Sequence, residues 1–332
     1  MICARRLAST LACALALIIV LSPAAPAEAL EVQTAQRLGP RLLEFTLGTP
    51  ALSEPTHVRV LLPKGYRANK LRYPVLYLLH GAAGNYTSWT GSALRQTKRL
   101  PLIVVTPDGG PNGYYSDWFN DGQGGPPMWE TYHVGELVPW IDSRFRTNPT
   151  RPARAVAGYS MGGFGALSYA ARHPELFSVA ATFSGPVDSN YEPLQVLFEY
   201  QRTPADNPAV WGPRDTQEAR WRAHNPWDLA ARLAGTRVLL FTGNGQLGGA
   251  FGGGPDSLEA GIEQMNLGLD QRLSQLGIPH SLMDRPGTHD AVYAKHDLNE
   301  TLTYLMRVLP HPPVGHRARS LGRAHAQERP QP

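Results

Sequence analysis

One hydroxyl in this chain sits in a conspicuous setting. The run AVAGYSMGGFGALSYAARHPE, residues 155–175, places Ser160 among Gly158, Gly162, Gly163 and Gly165. A serine becomes a useful nucleophile only when a base takes its proton and its backbone holds the oxygen clear of its surroundings. GYSMG has the pattern G-x-S-x-G, with a small apolar run before it and an alanine-rich helical run after it. That context predicts a sharp strand-to-helix turn carrying an exposed serine. A Cβ at position 158 or 162 would collide where strand and helix come close, so glycine is expected there. Gly163 and Gly165 would let the following helix lie near the sheet. Its N-terminus would favour negative charge developing at the serine. The chemistry indicated is acyl transfer through a covalent serine intermediate.

Such chemistry needs a base, an acid to orient it and donors for an oxyanion. Among eleven histidines, His289 in RPGTHDAVY follows a strand-like run and a Pro-Gly turn late in the chain, where a base for this arrangement belongs. His280 precedes that run, His296 falls in the helix after it, and His311, His316 and His325 lie in the tail. The acid should fall between Ser160 and His289, where Asp256, Glu259, Glu263 and Asp270 are available. Glu259 is favoured, and Asp256 is the alternative. The N–H of Met161, next to the serine, supplies one oxyanion donor. The loop in LLHGAAGNYTSW supplies the second, from Ala82 or alternatively Ala83. His80 shapes that loop and is not the base.

These residues require a framework that gathers them at one edge. Short apolar runs alternate with helical patterns, which predicts a mostly parallel sheet covered by helices. The expected strands begin at Thr56, Tyr73, Leu102, Ala153, Ser178, Arg237 and His280. Several are continuously apolar, as strands buried on both faces should be. In WETYHVGELVPWIDSRF, Val134, Leu137, Val138, Ile141 and Phe145 recur at helical spacing. Pro139 inside this pattern should kink the helix or mark its first turns. An insertion from Pro186 to about Asp228 carries Tyr191, Phe198, Tyr200, Trp211, Trp221 and Trp227. It reads equally as a cap over a cleft or as packed surface helices.

The 332 residues are 42% hydrophobic and 17% charged, which fits a globular chain. The net charge of +4 comes partly from the ends, and no clustered basic stretch in the middle calls for nucleic acid. Arg5 and Arg6, the apolar run Leu11 to Leu21 and the exit SPAAPAEAL form a secretory signal over residues 1–29, with an A-x-A site at Ala27-Glu28-Ala29. Both cysteines, Cys3 and Cys13, lie within it, so no disulfide or thiol chemistry is expected of the exported chain. Residues 30–310 form the catalytic domain, and 311–332 read as a basic disordered tail. No H-E-x-x-H or cysteine cluster calls for a metal. GNGQLGGAFGGG lacks the Lys-Ser/Thr ending of a phosphate loop. No cofactor is expected.

From about Leu42 to Leu309 the sequence resembles the esterase D-type branch of the α/β-hydrolases, which includes S-formylglutathione hydrolases, feruloyl-type esterases and the secreted antigen 85 mycolyltransferases. YPVLYLLHG and GYSMGGFGAL are typical of the branch. GYYSDWF, WETYHVGELVPWI, FTGNGQLGG and SLEAGIEQMNL look most like the mycolyltransferases. The resemblance implies an α/β-hydrolase fold with an insertion near the active site, Glu259 as the acid, His289 as the base, Ala82 and Met161 as oxyanion donors, and Tyr115 and Trp118 near the substrate, although structural packing explains these two equally well. The chain departs from the mycolyltransferases at His80-Gly81, where they have Asp-Gly, at Thr242, where they have cysteine, and in SMGGFG, where they have an SMAG form. The expectation is therefore a secreted or envelope serine esterase acting on acyl esters, lipids or glycolipids, without a membrane span after signal cleavage. An acyltransferase to a sugar or glycerol hydroxyl is the alternative.

Overall fold

The computed structural model describes residues 30–192 and 210–312. The expected signal segment with its cysteines, Phe198 and Tyr200 of the insertion, and the residues from 313 onward lie outside the described residues.

Nine strands form one sheet in the order β1-β2-β3-β5-β4-β6-β7-β8-β9. They are β1 (Glu31–Arg37), β2 (Leu42–Gly48), β3 (Thr56–Leu61), β4 (Val75–Leu79), β5 (Ile103–Pro107), β6 (Arg154–Tyr159), β7 (Val179–Phe183), β8 (Arg237–Gly243) and β9 (His280–Arg285). From β5 to β9 all neighbours are parallel. The first three strands join antiparallel through β3 to β5. The seven expected strands are present, and β1 and β2 are additions. β1 is an edge strand whose residues are nearly all exposed, so it carries no apolar periodicity to announce it.

The central strands bury both faces. Val75, Tyr77 and Leu79 of β4 point into one core, and Leu76 and Leu78 into the other. Helices α2 (Val138–Arg144), α3 (Met161–Arg172) and α5 (Ser257–Gln275) cover the first face. Helices α1 (Thr90–Gln96) and α6 (Ala291–Val308) cover the second. The helical pattern around Pro139 is broken as expected. Residues Thr131–Leu137 wind as a π-helix that runs directly into α2, whose second residue is Pro139.

The described part of the insertion is packed rather than open. Helix α4 (Arg214–Arg222) buries Trp221, whose ring meets Trp211 at 4.9 Å between centroids. Trp211 in turn packs on Phe164 of α3 and on Tyr114.

Candidate active site

At the C-terminal end of β6 the chain must reverse into α3, and Ser160 takes the strained conformation that this demands (φ 54°, ψ −121°). The approach is close enough to exclude side chains. A Cβ on Gly158 would lie 2.2 Å from the Gly162 carbonyl oxygen, and one on Gly162 would lie 2.6 Å from the carbonyl oxygens of Leu79 and His80. Gly163 admits the Thr182 hydroxyl of β7. Gly165 makes room for the ring of Tyr115 instead of the sheet.

The ends of β6, β8 and β9 converge here. Ser160 Oγ lies 2.8 Å from His289 Nε2, and His289 Nδ1 lies 2.7 Å from Glu259 Oε2. An ionised carboxylate can only accept, so Nδ1 carries the proton and Nε2 faces the serine as acceptor. Glu259 is fully buried. Its other oxygen accepts from Ser184 Oγ and from the Gly243 N–H, each at 2.6 Å. A buried carboxylate is tolerable only with such donors.

Asp256 has a different part. As N-cap of α5, its Oδ1 accepts from the N–H groups of Leu258 (3.0 Å) and Glu259 (3.1 Å), and its Oδ2 accepts from the His289 N–H at 2.8 Å. Burial opposes its ionisation. The three backbone donors and the nearby His289 ring outweigh that and hold its pKa below the ordinary aspartate value. The alternative acid thus does not touch the imidazole. It ties the helix that bears Glu259 to the loop that bears His289.

Two N–H groups near the serine have no acceptor among the described residues. Met161 is the first residue of α3, where helical N–H groups are unpaired. On the other side Gly81 sits against Ser160, close enough that a Cβ there would lie 3.3 Å from the serine's own. Ala83 donates its N–H to Pro111 O, so of the two loop candidates only Ala82 keeps its donor free. His80 lies under this loop. Its Nε2 accepts from the Gly109 N–H at 2.8 Å, so Nδ1 carries the proton and donates to Gly81 O at 2.8 Å.

Tyr115 and Trp118 follow the packing alternative. Tyr115 is 1% exposed, and its hydroxyl donates to His80 O at 2.8 Å. Trp118 is also buried, and its indole N–H donates to Gly113 O. Both polar groups are committed to backbone, so these residues brace the site from beneath instead of lining it. Below them His133 donates from Nε2 to Asp108 O and accepts at Nδ1 from the Tyr169 hydroxyl. Desolvation pushes its pKa down to about 4.

Sequence reasoning missed Ser184, the clamp role of Asp256, and Tyr159. The Tyr159 ring stacks on His289 with centroids 5.1 Å apart, and its hydroxyl donates to His289 O at 2.8 Å. Tyr159 was legible as the x of G-x-S-x-G, but nothing in that position fixes its residue type.

The sequence and the fold have counterparts among known proteins. The sequence matches the family described as "Putative esterase" over residues 49–305. It is 35% identical over 257 residues to Esterase Rv1288 of Mycobacterium tuberculosis, covering 75% of this chain and 56% of that one. The chain thus spans just over half the length of that relative. It is 29% identical over 253 residues to the diacylglycerol acyltransferase/mycolyltransferase Ag85A of the same organism, covering 71% and 74%. The fold resembles that of an S-formylglutathione hydrolase from Agrobacterium tumefaciens, with TM-score 0.66 at 20% identity over 84% of this chain and 99% of that one. The fold is that of the α/β-hydrolases, and the chain belongs to the "Putative esterase" family.

Proposed function

We propose that this protein is a secreted serine esterase that cleaves carboxylic esters through an acyl-enzyme on Ser160. The observation that carries the reading is the unbroken hydrogen-bonded series from Ser160 Oγ through His289 to Glu259, at 2.8 and 2.7 Å, beside two unpaired N–H groups. His289 takes the serine proton as Oγ attacks the ester carbonyl. The oxyanion is received by the N–H groups of Ala82 and Met161, each worth about 3 kcal/mol in comparable sites. His289 returns the proton to the departing alcohol, then activates water to release the acid. Glu259 holds the imidazole in the Nδ1–H tautomer and stabilises its cation. Export rests on the basic, apolar and small-residue signature of residues 1–29, and residues 30–310 are the catalytic domain. Among the described residues no helix is long and apolar enough to cross a membrane.

Similarity to a named acyltransferase supports a second reading, in which the acyl group passes to a sugar or glycerol hydroxyl. The two readings share every step up to the acyl-enzyme.

Labelling with a fluorophosphonate probe tests the common part: the natural sequence labels, and Ser160→Ala and His289→Ala do not. Absence of labelling in the natural sequence ends the esterase reading. A p-nitrophenyl ester supplied with and without trehalose or glycerol then separates the two fates. Free acid alone supports hydrolysis, and an acylated sugar or glycerol supports transfer.

A further inference from the structure

Beside the serine lies a cleft of about 250 Å³. The loop Gly81 to Gly84 lines one side, Ala291 and Lys295 of α6 line another, and Trp89 and Tyr159 lie between them. The volume falls below the roughly 300–1,000 Å³ of sites for drug-sized ligands, so it suits a short chain or single ring.

Most polar atoms of its lining are already committed. The Trp89 indole N–H donates to Leu79 O at 2.9 Å. The Tyr159 hydroxyl donates to His289 O, and Ser88 Oγ accepts from the Asn85 N–H. One ionic side chain whose charge does not depend on the protonation of an imidazole remains, that of Lys295, and no carboxylate lines the cleft. Lys295 forms no ion pair among the described residues. The carboxylates nearest it in sequence are occupied: Asp297 pairs with Arg285, Asp290 caps α6 at the Val292 N–H, and Glu300 faces His296 at 3.5 Å. The backbone at Lys295 is anchored, since Gln96 Nε2 of α1 donates to its carbonyl at 2.7 Å.

We propose that this cleft is an anion-accepting subsite: it takes a short substituent of the ester that ends in a carboxylate, and Lys295 meets that carboxylate. The inference rests on the reading of Ser160 as the nucleophile. The apolar walls select the chain or ring, and the lysine selects its end.

The test uses two matched pairs of substrates with the full chain. 4-Nitrophenyl hydrogen adipate against 4-nitrophenyl hexanoate puts the charge on the acyl side. 3-Carboxyphenyl acetate against phenyl acetate puts it on the leaving side. The readout is the ratio of kcat/KM, charged over neutral, within each pair. For one pair, Lys295→Met should lower that ratio by about two- to fivefold, the effect of an ion pair made by an exposed lysine. Lys295→Glu should lower it further, Lys295→Arg should restore it, and salt should narrow the difference. Ratios in both pairs that are the same for the natural sequence, Lys295→Met and Lys295→Glu overturn the subsite while leaving the esterase intact. Failure of the natural sequence to turn over any of the four esters or to label at Ser160 instead overturns the nucleophile, and the subsite with it.

Discussion

Replacing Asp256 by asparagine tests whether a residue that never touches substrate sets the rate. The amide oxygen can still cap α5 at Leu258 and Glu259, now held at 3.0 and 3.1 Å. The amide nitrogen, however, must then face the His289 N–H, which now donates to Oδ2 at 2.8 Å. Two donors confront each other, and one charge-assisted bond worth about 1.5–3 kcal/mol is lost. The loss falls on the backbone of the base itself. His289 must keep both its 2.8 Å contact with Ser160 and its 2.7 Å contact with Glu259, and a shift of about 1 Å at a reacting group costs roughly a hundredfold in rate. We expect kcat on a p-nitrophenyl ester to fall about 10- to 100-fold with KM nearly unchanged, because the bond to the base matters most when the imidazole is taking a proton. Asp256→Ser, which keeps the cap but cannot reach His289 in the same way, should behave like Asp256→Asn, with a thermal midpoint only a few degrees below that of the natural sequence. A full kcat in Asp256→Asn would refute the reasoning, and so would a loss that appears only in KM.

Other perturbations act through the same supports. Ser184→Ala removes a 2.6 Å donor from the buried Glu259 carboxylate, and kcat/KM should fall about tenfold, matching a loss of about 1.5 kcal/mol. An unchanged value would show that the Gly243 N–H suffices. Tyr115→Phe deprives the His80 carbonyl of its donor, and steady-state kinetics should show kcat reduced several-fold with KM held, since the oxyanion loop matters in the transition state. Acid should destabilise the fold through two buried imidazoles. Burial lowers the pKa of both His133 and His224 to about 4, so their contribution is complete above the unfolded value near 6.5 and is lost as pH falls through 4. Asp297, raised by burial to about 7, works in the opposite sense over the same range and cancels roughly one of the two. The net loss between pH 6.5 and 4 is about 3 kcal/mol, and a thermal midpoint that stays flat over that interval contradicts the assignment.

The central strands were legible because burial on both faces leaves long apolar runs, as in VLYLL and IVVTP. The edge was not. β1 has an almost wholly exposed sequence, and its pairing with β2 is held by backbone bonds that any residues can make. The π-helical segment before Pro139 shows the same limit. The apolar spacing announced a helix, but it did not distinguish the wider π-helical winding that carries the buried Tyr132 and His133.

At the site, legibility followed the strictness of each chemical demand. The turn at Ser160 excludes any Cβ at 158 and 162, so the glycines stand in the sequence as a signature. A base must be a histidine in a late loop, which left few choices. The acid was harder, because Asp256 and Glu259 share one helix start and differ only in which way each carboxylate is aimed. The structure separates them by donor: Glu259 receives the imidazole N–H, and Asp256 receives the main-chain N–H of the same residue. Tyr115 shows the converse error. An aromatic in a segment near the nucleophile reads as a substrate contact, yet here its hydroxyl holds the strand end from which the oxyanion loop departs. Residues that meet a reacting atom are constrained in type and can be read from one sequence. Residues that aim them are constrained only in position, so Ser184, Asp256 and Tyr159 acquire meaning once the strands have brought three distant loops together.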